Sequence, residues 1–123
     1  MVVPLVVGLV IGAAGVGAGW ALGGDGGTPA PGSGPAGDAH AACQVLDGFD
    51  ESAYAAKGAE GDVARNRLAA AQVLSASAAA GSAAYKPLAD AVRDSVDRYA
   101  RLFEFDAKAR QDLAEARRIC GTL

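Results

Sequence analysis

The residues of this 123-residue chain that invite a chemical reading are two cysteines, one histidine and a row of four glycines. Cys43 and Cys120 lack C-x-x-C spacing, so they match neither a zinc site nor a thioredoxin-like pair. Their remaining chemistry is a disulfide, provided the fold brings the two α-carbons within about 4.4 to 6.8 Å. His40 has no second histidine for a metal pair or a proton relay, and it is expected to be exposed and idle. Ser75, Ser77 and Ser82 sit in no G-x-S-x-G elbow and have no histidine base in reach by sequence. Asp90, Asp94 and Asp97 stand beside arginines, where ion pairing is the ordinary use of a carboxylate. Tyr54, Tyr85 and Tyr99 read as core residues with wet hydroxyls, or else as the lining of a small cavity between helices. Cys43 follows two alanines as a lipidated cysteine does, but it lies far beyond the apolar start, with His40 three residues before it, which argues against lipidation. The residues therefore point to no enzyme, no metal and no cofactor.

The glycine-rich string at residues 15–19 is no phosphate-binding loop, because no strand precedes it and no G-K-[S/T] follows. It belongs to a run from Val2 to Leu22 with no charged residue, 21 residues long. As a helix that run would span about 31 Å, close to the thickness of a bilayer's hydrocarbon core. Trp20 lies near its end, at interface depth, and Pro4 falls in the first turn, where no intrahelical N–H bond is lost. Residues 1–23 are thus expected to form a transmembrane helix, or an uncleaved signal anchor. Gly8, Gly12, Gly15 and Gly19 fall on one face of it and make two G-x-x-x-G units, a groove that lets a second helix approach closely in lipid. The expected outcome is a homodimer through this helix, and a transmembrane two-hybrid signal should be lost in Gly12→Ile and Gly15→Ile. A secretory signal peptide cut after Gly23 is the rival reading, since Ala21 and Gly23 are small residues at the positions a signal peptidase needs. The first basic residue is Lys57, so no Lys or Arg flanks the span to orient it, and a short basic leader upstream of Met1 would supply one.

Residues 24–38 are rich in Gly and Pro, cannot bury enough apolar surface to offset ordering, and are expected to be a flexible linker. Residues 39–123 then form one small domain, in which every periodic signal is helical. Asp38 is the expected N-cap of a first helix with Ala42, Leu46, Phe49 and Ala53 inward, weakened at Gly48. Gly58 and Gly61 mark a break before a second helix over 62–80, which Gly81 ends as its C′ residue. Pro87 opens a third helix that turns Leu88, Val92, Val96, Tyr99 and Leu102 inward, with Asp94–Arg98 and Asp97–Arg101 pairs outside. Neither Gly nor Pro interrupts residues 88–120, yet Asp106 breaks the apolar stripe and suits the N-cap of a fourth helix, so a turn is expected at 104–106.

The cysteines favour that turn. In an up-down four-helix bundle the start of the first helix and the end of the last share one end, which brings Cys43 to Cys120. The fold class expected is therefore all-α: a transmembrane helix, a flexible linker and a small up-down four-helix bundle closed by one disulfide. Such a bond belongs to an oxidising compartment and places the domain outside the cytoplasm, on a single-pass protein of the cell membrane. The net charge of −3 is small. The balance is −6 over residues 25–62 and +3 over 63–123, but the signs are interleaved, which predicts a solvated surface and no nucleic-acid partner. Abundant Ala and Gly, with Arg exceeding Lys, fit a GC-rich bacterial genome. The function expected is a non-enzymatic, membrane-anchored module with a binding or structural role toward a protein partner that the residues do not name. The alternative is a secreted bundle that holds a small apolar ligand.

Overall fold

The computed structural model describes residues 32–123. The apolar span at 1–23 with Gly8, Gly12, Gly15 and Gly19, and the linker up to residue 31, lie outside the described residues. Those described form four helices and no strand: α1 (Gly34–Asp47), α2 (Ala59–Gly81), α3 (Lys86–Leu102) and α4 (Ala107–Cys120). None of these is long and apolar enough to cross a membrane.

The first helix starts earlier than its composition suggests, so the linker boundary at residue 38 moves back. Ser33 holds the N-cap position and Pro35 sits in the first turn, where its fixed φ favours helix. Asp38, the expected cap, lies inside α1 and accepts a 2.7 Å hydrogen bond from the Ser77 hydroxyl of α2. The early turn is held by docking: a Cβ at Gly81 would strike the Pro35 ring, so only glycine lets the end of α2 approach this closely. Gly81 is accordingly the last residue of α2 rather than a left-handed C′ residue, and extended Ser82 follows it. Among the described glycines, positive φ falls instead at Gly32, Gly34 and Gly58, the last at 75° just ahead of α2, a conformation that glycine adopts without penalty.

Interhelical contacts fix the directions. Asp38 meets Ser77 and the Arg67 guanidinium donates to the Gly48 carbonyl, so α1 and α2 run antiparallel. The Ser95 hydroxyl donates to the Ala109 carbonyl at 3.0 Å and Arg98 meets Asp106, so α3 and α4 do likewise. A short connection that includes one 3-10 turn (Ala83–Tyr85) joins α2 to α3. Helices α1 and α4 touch little along their length, and they are tied by the disulfide and by Arg117, which donates to the Leu46 carbonyl. The Cys43 and Cys120 α-carbons are 5.5 Å apart. Because α1 begins at Gly34, Cys43 lies well inside that helix rather than at its start, and the last turn of α4 is pinned to the third turn of α1.

The core is built largely from small side chains. Eight of its fifteen buried apolar residues are alanine, so the helices pack at short range around four fully buried leucines, Leu46, Leu68, Leu88 and Leu113, with Val92. Ser75 and Ser95 are buried too, each donating to a backbone carbonyl. Buried side-chain polar atoms among the described residues all have partners.

Between α3 and α4 the chain turns where the stripe broke, with Asp106 accepting from the Ala109 amide at 2.9 Å as N-cap. The expected Asp94–Arg98 pair is absent. Arg98 instead turns to Asp106, its Nε 2.7 Å from both carboxylate oxygens, while Arg93 pairs with Asp90 at 3.0 Å. The Arg98 hydrogen bonds, then the Ala109 amide, hold the Asp106 carboxyl at about 2. A carboxyl depressed in the folded state contributes stability that is present above its unfolded pKa of 3.8 and is lost as pH falls through about 2. Asp106→Asn should therefore unfold at lower urea than the parent at pH 5, and the gap should shrink by pH 2.

Candidate functional site

Where α3 gives way to α4, four aromatic rings meet at the end of the bundle opposite Gly34. Phe49 follows the Gly48 cap of α1, Tyr54 caps a 3-10 turn, Tyr99 lies in the last turn of α3 and Phe105 in the connection to α4. Tyr54 stands edge-on to Tyr99 at 4.6 Å and to Phe105 at 5.2 Å, and Phe49 meets Phe105 at 6.0 Å, the edge-to-face geometry that ring quadrupoles favour. Phe49 and Phe105 are buried, whereas Tyr54 and Tyr99 are half-buried and open onto a cleft of about 340 Å³. Burial, then the neighbouring Tyr99, pushes the Tyr54 phenol above its ordinary value, so it stays neutral.

Arg117 braces this end. Its guanidinium donates to the Phe49 carbonyl at 2.8 Å and to Glu51 at 3.1 Å, which ties α4 to the segment after α1. Asp50 accepts from the Ser52 hydroxyl and amide at 2.7 and 2.9 Å, and these bonds lower its pKa and keep it charged.

Phe103 borders the cleft with Phe105, but the two point to different surroundings: Phe105 is 8% exposed and Phe103 is 81% exposed. Beside it Leu102, expected inward, is 45% exposed. Phe103 also ends α3 in the left-handed region at φ 56°, where its amide donates to the Tyr99 carbonyl at 2.7 Å. A helix end of this shape ordinarily takes glycine, because a Cβ is strained there. The bundle thus carries an exposed phenyl ring on a strained backbone, and neither condition helps it fold. Phe103→Gly is expected to raise stability by about 0.5 to 1 kcal/mol, read as a higher urea midpoint, since it relieves the strain and gives up almost no buried surface.

The other expected residues lie elsewhere. Cys43 and Cys120 flank a second cleft of about 460 Å³, which His40, Asp47 and Arg117 also line. His40 is exposed on α1. Tyr54 and Tyr99 come together and Tyr85 sits at the far end, before α3. Ser77 is engaged by Asp38 and Ser75 by the Gln72 carbonyl. The described residues contain no group of three or more His, Cys, Asp or Glu side chains placed to hold a metal. Phe103 is not among the residues that type or spacing singles out in the sequence. The signal available was its place off the inward stripe, next to Leu102 in an otherwise charged stretch. No protein-family model matches the chain, and searches of curated proteins and of solved structures find no match to it.

Proposed function

We propose that the chain is a membrane-tethered module whose helical domain stands outside the cytoplasm and works by binding a protein partner at its aromatic end. The observation that carries this reading is Phe103, exposed and strained at once. Non-glycine residues held in the left-handed region cluster at functional sites, and an aromatic ring is the residue type that anchors protein interfaces. The disulfide supports the compartment, because such bonds persist where thiols are not kept reduced. The uncharged run before Trp20 supports the tether, and Gly8, Gly12, Gly15 and Gly19 support pairing of two tethers in lipid.

Fractionation of cells followed by protease shaving tests the location. An intact anchor, with a domain digested only from outside, is the expected result. A soluble product beginning at Gly24 would replace the tether with a released domain, and a domain protected until lysis would end the extracytoplasmic reading.

A further inference from the structure

If the aromatic end is a binding surface, its charges narrow what it binds. Two carboxylates at this end already have cationic partners within the domain: Glu51 pairs with Arg117 at 3.1 Å and Asp106 with Arg98 at 2.6 Å. Asp50 and Glu104 remain on the rim of the cleft against Arg110, two acids to one base. Asp50 is hydrogen-bonded only to Ser52 and feels the Arg117 charge at longer range, and Glu104 forms no ion pair with a described residue. The half-buried rings of Tyr54 and Tyr99, a side-chain type that attracts cations, line the same cleft as these two carboxylates and Phe103.

We propose that the partner is a protein segment presenting an Arg or Lys side chain next to a large apolar one, with the apolar group against Phe103 and Leu102 and the cation over Tyr99 and Tyr54, facing Glu104 and Asp50. This assignment rests on the binding role given above to the same end of the bundle. The rim argues against a lipid surface as occupant. An apolar tip that enters a membrane is ordinarily flanked by Lys and Arg, whose charge meets anionic headgroups, and here the cleft beside Phe103 is lined by Asp50, Glu51 and Glu104 against Arg110, with Arg101 preceding Leu102.

The chain has three phenylalanines, so the full-length protein labelled with 4-fluorophenylalanine in phosphatidylcholine nanodiscs gives three fluorine resonances, and Phe103→Gly identifies one of them. The probes are the peptides acetyl-Leu-Arg-Trp-Arg-Leu-amide and its acidic counterpart with Glu in place of Arg. The basic peptide should shift the Phe103 resonance and bind about tenfold more tightly than the acidic one. Its affinity should fall in 0.5 M salt on the order of several-fold. Glu104→Gln should weaken binding about threefold, and Phe103→Gly should abolish it while unfolding at the same urea concentration as the parent or higher. Equal or tighter binding of the acidic peptide at the same resonance overturns the charge assignment and leaves a binding surface standing. Failure of both peptides to move the Phe103 resonance overturns the assignment and the binding role together. Broadening of that resonance by a spin-labelled lipid in the absence of peptide makes the tip a lipid contact and also overturns the proposal.

Discussion

Reduction of the Cys43–Cys120 bond should lower the stability of the domain by about 4 to 5 kcal/mol in the chain-entropy account, because the two residues lie 77 apart in sequence and the closed loop is long. The bond joins α1 and α4, which lie against each other far less than α1 against α2 or α3 against α4, so packing alone does not replace it. Domains of this size have total stabilities of roughly 5 to 14 kcal/mol, and such a loss takes a third of that or more. Urea titrations of the oxidised protein and of the Cys43→Ser, Cys120→Ser double variant measure it. A difference under about 1 kcal/mol would mean that the unfolded chain is already compact enough to hold the two ends together.

Leu113→Ala is the second large effect. Leu113 is the one fully buried large side chain of α4, flanked by Ala109 and Ala116, which are buried but small. Removing it leaves a void that alanine neighbours on rigid helices fill poorly, and the cost is about 2 to 5 kcal/mol. With the disulfide intact, α4 stays tied at Cys120 and through Arg117, and the variant should fold with a lower urea midpoint. Combined with loss of the disulfide, the same substitution should leave little folded protein at room temperature. Circular dichroism at 222 nm under non-denaturing conditions distinguishes the two cases, and a double variant that keeps full helicity would show α4 to be anchored by something other than these two ties.

The order of the helices and the pairing of the cysteines were legible because each rests on a strong local signal. Pro87 in a first turn, Asp106 interrupting an apolar stripe and two cysteines at matching heights all act within a few residues or by simple geometry. Boundaries set by distant contacts were not legible. Pro35 is the one helix-start signal in residues 34–37, set among glycines, and the turn there docks because Gly81, far along the chain, leaves room for the Pro35 ring. Arg98 likewise had two carboxylates in prospect, one a turn before it and one across the loop. It takes the second because Asp106 is fixed as an N-cap and presents both oxygens. The aromatic end is half legible: the sequence marks Tyr54, Tyr85 and Tyr99 as core with wet hydroxyls or as a cavity lining and does not pair Tyr54 with Tyr99, and Phe103 lies outside the core for a reason carried in the backbone angle, which composition does not report.

Tension applied between the two ends of the described chain meets the sulfur bridge first, and the bridge decides how that load is carried. Pulling on the chain ahead of Gly34 can peel away only the part of α1 before Cys43, nine residues or about 30 Å of extended backbone. Beyond that point force passes through the covalent link into the last turn of α4, and everything enclosed between the two sulfurs is shielded from stretching. The aromatic end lies inside the enclosed loop, so tension between the two chain ends leaves that surface intact.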